Sequence, residues 1–189
     1  MKKLLLTAVT LLIMAVAAKA QASVQAGFML NRVKTEDAAV KVAGYYKGFM
    51  LQADYNLNIA GEFSVAPGLG IDYSFNNFEG MRYKELGLFA PIDLNYRFPL
   101  SDNFSLSIFA GPTFYYGLLA KETSTKPHYD YYDKDCKRFD VSLGGGIWVD
   151  VIDNIRVKVG YKFGLMNTSK LEGIKERNNC FSISVGYVF

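Results

Sequence analysis

Hydrophobic and polar positions alternate through most of this chain, most regularly between Ile155 and Met166. There Ile155, Val157, Val159, Tyr161, Phe163 and Leu165 oppose Arg156, Lys158, Gly160, Lys162 and Gly164. Successive side chains of a strand point to opposite faces, so a period of two predicts a strand with one apolar and one polar face. The same period recurs at Ser23 to Arg32, Tyr46 to Leu57, Glu62 to Phe75, Tyr83 to Phe98, Phe104 to Leu119, Lys137 to Val151 and Asn179 to Phe189. Eight strands are therefore expected. The last sets Phe181, Ile183, Val185, Tyr187 and Phe189 against Ser182, Ser184, Gly186 and Val188. A tilted strand of about nine to eleven residues crosses a bilayer, and each run reaches that length.

The links between these runs alternate in length. Asn58-Ile59-Ala60-Gly61, Pro99 to Asn103 and Ile152-Asp153-Asn154 are tight; the stretches at about 33–45, 76–82, 120–136 and 167–178 are longer and more polar. Membrane barrels are built this way, with short periplasmic turns and long extracellular loops. The expected fold is all-β: an eight-stranded antiparallel up-and-down transmembrane β-barrel, with both termini periplasmic.

Charge placement separates this fold from a soluble lipocalin-like barrel, whose apolar side chains point inward. One parity carries Asp54, Asp72, Asp93, Arg97, Asp140, Asp150, Arg156, Lys158 and Lys162. The other is almost uncharged through its middle, with aromatics clustered near the strand ends. Eight strands enclose a lumen just wide enough for side chains to fill. The nine charges are expected to face inward as an ion-pair network that plugs it; a narrow, hydrated path is the alternative. Trp148, of inward parity beside Gly144 and Gly146, is expected to fill the space they leave. Pro67, Pro91 and Pro112 fall inside adjacent strands, where each is expected to mark a bulge.

The first residues follow another pattern. Lys2 and Lys3, an apolar run from Leu4 to Ala18 and then small residues read as a secretory signal over 1–22, cut after Ala20 or Ala22, ahead of a barrel domain over 23–189. The formal charge of +3 falls to 3 − 3 = 0 when Lys2, Lys3 and Lys19 are removed. Charge therefore supports no nucleic-acid partner. No run of eighteen apolar residues follows, so no membrane helix is expected.

Candidate chemistry is sparse. His128, the single histidine, lies in the 120–136 link with Ser124 nearby, and no activating geometry follows from that spacing. Asp130, Asp133 and Asp135 lack the spacing and glycine of a calcium loop, so a solvated acidic loop is expected and no metal or cofactor. Tyr129, Tyr131 and Tyr132, interleaved with those charges, are expected as exposed contact surface. Cys136 and Cys180 share inward parity at the same mouth. An oxidising compartment and an even count allow one bridge. Strand seven separates the two by roughly 10 Å, which is compatible equally with free thiols.

The whole chain after the leader resembles the small eight-stranded outer-membrane proteins of the OmpA/OmpX type, and more narrowly the PorT-like "outer membrane protein beta-barrel" or porin-family group. The leader, the eight runs, the alternating links and the final Phe189 carry that resemblance. It implies residence in the outer-membrane bilayer and handling by the barrel-assembly machinery, with Tyr187 and Phe189 as part of the signal that machinery reads. It also implies a non-catalytic barrel, either closed and presenting links 33–45, 120–136 and 167–178 to an extracellular partner, or a narrow small-solute pore. Lipid-modifying enzymes of similar build are a distant third, and no oligomeric state is implied.

Overall fold

The computed structural model describes residues 21–37, 41–78, 81–101, 104–123, 129–130, 132, 135–151 and 154–189. Eight long strands form one sheet: β1 Gln21–Glu36, β2 Lys41–Ala60, β3 Phe63–Phe78, β4 Met81–Ser101, β5 Phe104–Thr123, β6 Phe139–Val151, β7 Ile155–Gly164 and β8 Lys175–Val188. Each pairs antiparallel with the next, and β8 returns to β1 from Ser23↔Val188 to Glu36↔Lys175. The ring closes and leaves no open edge between these strands. Residues 1–20 of the expected leader lie outside the described residues. Ala22, counted with that leader, sits in β1, where its carbonyl accepts from the Phe189 N–H at 2.8 Å.

The faces fall as the charge pattern predicts. Ser23, Gln25, Gln52, Asp54, Asn95 and Ser107 are buried inside, while Leu51, Leu69 (63% exposed) and Val185 stand outside. An apolar exterior around a polar interior is the arrangement a bilayer stabilises.

Two of the four long links are corrected. Strands β1 and β2 continue through Val33↔Gly44 to Glu36↔Lys41, and β3 and β4 through Asn76↔Tyr83 to Phe78↔Met81. These polar ribbons stand clear of the apolar belt. Their polarity reads as loop, yet water on both faces does not prevent a ladder from forming. The long links that remain span 124–138 and 165–174, and among their described residues Tyr132, Cys136, Lys137, Thr168, Leu171 and Ile174 line the mouth. A two-residue strand, Tyr129–Asp130, pairs with Lys121 and Glu122 there.

The proline expectation is corrected too. The ladder skips a step beside Pro67, Pro91 and Pro112, but the register is the same on either side. It runs from Asp54↔Gly68 to Leu57↔Val65, from Pro67↔Ile92 to Gly70↔Phe89, and from Pro91↔Thr113 to Leu94↔Ala110. Each proline removes a donor without inserting a residue. The shifts fall instead at Asn58/Ala60, Leu86/Gly87 and Pro99/Ser101. At the second, Gly87 faces Gly117 and Leu86 faces Leu119, so Leu118 is extra. Parity beyond it reverses, turning Ala120 inward and Lys121 outward.

Candidate functional site

The lumen is filled from the turn end upward. Asp54 accepts from Gln52 at 2.5 Å and from Gln25, whose Oε1 accepts from the Ser184 hydroxyl at 2.7 Å. Arg156 bonds both oxygens of Asp150, at 2.6 and 3.1 Å, and lies 4.2 Å above the Trp148 ring. Trp148 stacks on Phe109, with centroids 5.9 Å apart. Lys158 pairs with Asp93 at 2.8 Å and rests 4.3 Å over Phe109. Buried charges are tolerated on these terms, paired and hydrogen-bonded.

The nine inward charges do not form one network. They resolve into those two ion pairs and several separate groups. Asp72 accepts from Ser74 at 3.5 Å, Asp140 from the Val141 N–H at 2.7 Å, and Lys162 sits 4.8 Å over Phe89. Arg97 is corrected: it is exposed, beyond the packed interior at the turn end.

Glycines make room for this filling. Phe89 lies where a side chain on Gly70 would stand, Tyr115 over Gly87, Tyr132 over Gly117, and Phe109 against Gly146 and Gly160. The free space shrinks downward accordingly. A cavity of about 400 Å³ occupies the mouth; about 60 Å³ remains between Met29, Phe89, Asp72 and Lys162, and about 20 Å³ beside Pro91, Phe109 and Lys158.

Glu85 organises the mouth. It accepts from Tyr115 at 2.9 Å, from Tyr83 at 3.2 Å and from Tyr132. Tyr132 is therefore not the exposed contact residue expected. It is 5% exposed, turned down into the barrel with Arg138 5.2 Å from its ring. Burial and the Glu85 charge keep its hydroxyl protonated well above the ordinary range. The Lys170 ammonium donates to the Tyr132 carbonyl at 2.8 Å, and the Lys170 backbone N–H to the Asp135 carbonyl at 2.8 Å, so the two long links brace each other. Sequence reasoning missed Glu85, although Tyr83-x-Glu85 has inward parity and signals a carboxylate inside. Glu176 was missed because its segment reads as loop.

Cys136 and Cys180 both carry free thiols, so the bridge considered between them is not formed. Cys136 lies 3.9 Å from Glu176 Oε1, and burial followed by the Glu176 and Glu85 charges pushes its thiol up to about 12. Cys180 lines the space below, beside Lys162. His128, Ser124, Tyr131 and Asp133 lie outside the described residues. Among the described residues no cluster of His, Cys, Asp or Glu is placed to hold a metal ion.

Glu176 yields a pH prediction. Burial raises its carboxyl above the ordinary 4.5, against a 3.2 Å hydrogen bond from Thr168 that lowers it. A raised acid binds its proton more tightly in the folded state, so its contribution is full below the ordinary value and is lost as pH rises through the raised one. Glu176→Gln is expected to raise the urea midpoint at neutral pH and to leave it unchanged below pH 4.5. Parallel denaturation curves at the two pH values check this.

In sequence, no curated protein matches the chain. Among solved structures it resembles Ail, the attachment invasion locus protein of Yersinia pestis solved with the heparin analogue sucrose octasulfate, at 17% identity and a TM-score of 0.53, covering 90% of this chain and 99% of that one. Neisserial surface protein A is similar at 16% identity and a TM-score of 0.52, covering 89% and 97%. OprG of Pseudomonas aeruginosa follows at 13% and 0.50, covering 89% and 95%. These likenesses concern the fold. The family model described as outer membrane protein beta-barrel domain matches residues 4–189, and the chain belongs to that family.

Proposed function

We propose that this protein is a closed barrel of the outer membrane that works by binding at its mouth. The mouth faces outward from the cell, both termini face the periplasm, and the links at 124–138 and 165–174 present the contact surface to an extracellular partner. One observation carries the closed reading: space falls from about 400 Å³ at the mouth to about 20 Å³ beside the Lys158–Asp93 pair. Hydrated ions have no continuous path through a gap that size. Carboxylates of Glu85, Asp135, Asp140 and Glu176 face the mouth cavity alongside Lys137, which favours cationic groups on the partner. Tyr187 and Phe189, both exposed outside and edge-to-face at 5.1 Å, serve in this proposal as the aromatic segment read by the assembly machinery.

The test is single-channel recording of the purified, refolded chain in planar bilayers. No conductance steps above the bare membrane are expected. Steady steps that scale with salt concentration would instead establish the small-solute pore.

A further inference from the structure

Two kinds of side chain line the mouth cavity. Val33, Val42, Leu171 and Ile174 are apolar, with Val42 and Leu171 exposed, and Glu85, Asp135, Asp140 and Glu176 are acidic. Below lies the space of about 60 Å³, packed against Met29, Met50 and Phe89. Tyr115, Asp140 and Asn178 line both spaces and join them.

Three of the mouth acids already have donors. Glu85 accepts from three tyrosine hydroxyls, Glu176 from Thr168 and Asp140 from the Val141 N–H. Asp72, which lines the lower space at 4% exposure, is different. Its Oδ2 accepts from Ser74 at 3.5 Å, and its Oδ1 is buried with no donor. Asn178 Oδ1, between the two spaces, is buried without a donor as well. Both atoms are acceptors, so the group they lack is an N–H or O–H donor. Charge then selects among donors. Asp72 and Asp140 bring two carboxylates to the lower space and Lys162 one ammonium, and none of the three joins an ion pair among the described residues. Ionised, they leave one negative charge uncompensated, which favours a donor that is also a cation.

We propose that the lower space receives the ammonium group of a lysine side chain carried by an extracellular protein. The ammonium donates to Asp72 Oδ1 and faces Asp140, with Asn178 at the entrance, and the alkyl stem packs along Val33, Leu171 and Ile174 in the mouth. The site depends on the mouth being the partner-binding surface, and it names the group that the mouth takes. An ammonium is compact with three donors, whereas a guanidinium is a wider planar fork. A space of about 60 Å³ therefore selects lysine over arginine.

The test uses the full-length chain refolded in nonionic detergent and a pentapeptide of four alanines around a central lysine, capped at both ends. Ligand-observed NMR gives the dissociation constants. Replacing the lysine by acetyl-lysine or by arginine is expected to weaken binding by about tenfold or more. Asp72→Asn, which keeps the shape and removes the charge, brings the lysine peptide to the level of the acetyl-lysine one. Should that variant not refold, Asp140→Asn in the same space makes the same comparison. Lysine-peptide binding that the substitution leaves unchanged overturns the proposal. n-Butylamine, the same ammonium without a peptide, is expected to bind about tenfold more weakly; equal affinity makes a free amine the ligand and overturns the lysine assignment. If lysine and arginine peptides bind equally and only Glu176→Gln weakens them, the mouth still takes cations and the lower site alone is refuted. If neither peptide binds, the cation-binding mouth is refuted with it.

Discussion

Lys158→Glu is expected to destabilise the barrel by several kcal/mol, whereas Lys121→Glu in the same nonionic detergent changes stability by less than about 1 kcal/mol. Lys158 is bonded to Asp93 at 2.8 Å and lies over Phe109 and Trp148, in a lumen with about 20 Å³ of free space. Reversal places two carboxylates against each other and removes the cation from both rings. Neither carboxylate gains water, because Phe109, Pro91 and the Lys162 stem fill the neighbourhood. Lys121 stands exposed on the outer face, paired with Lys84 on one side and Asp130 on the other, so a glutamate there meets water and one neighbour of each sign. Urea titrations of the two variants compare them directly. Equal midpoints would show that the interior is hydrated, and the closed reading of the lumen would fail with them.

Gly146→Val is expected to prevent recovery of folded barrel, where Gly44→Val refolds with a stability within about 1 kcal/mol of the parent. A Cβ at Gly146 falls 2.8 Å from both Gly160 Cα and Phe109 Cζ, and closer still to the Val159 carbonyl oxygen. Two of those three obstacles are backbone of β7, held in register by Gly146↔Gly160 and Ile147↔Val159. A ring can rotate away; a hydrogen-bonded ladder in a closed ring cannot move one strand without moving its neighbours. Overpacking a well-filled interior ordinarily costs about 1–3 kcal/mol, and backbone obstruction adds to that. At Gly44 the nearest atoms belong to the Tyr46 ring, from 3.4 Å, an ordinary contact with a side chain in the mouth ribbon. Adding Phe109→Ala to Gly146→Val is not expected to restore folding, because the β7 backbone still blocks the position. Heat-modifiable migration on cold gels reads the folded fraction; recovery in the double variant would assign the obstruction to the ring alone.

The strand count, the face taken by most strand side chains below the Leu118 bulge and the membrane setting were legible in the chain. They depend on local facts: a period of two, a charge-free parity and link lengths. Each is written within a dozen residues, and no distant contact alters it. Strand ends were less legible, because the ribbons paired from Val33↔Gly44 to Glu36↔Lys41 and from Asn76↔Tyr83 to Phe78↔Met81 mix polar and apolar residues without one continuous apolar face. Polarity marks exposure to water, and exposed residues form ladders as readily as they form loops.

What the sequence by itself determined was which residues line the lumen: Asp54, Asp93, Asp150, Arg156 and Lys158 all follow from parity. Which of them pair was decided by the tertiary structure. Lys158 meets Asp93 across the lumen from β7 to β4, and Tyr132 folds down to Glu85 from a link that reads as solvated. The extra residue Leu118, opposite the Leu86–Gly87 step, turns Lys121 outward against Lys84. The physical reason is closure. Stagger and bulges set which residues from non-adjacent strands stand at the same height, and that height exists only once β8 has paired with β1.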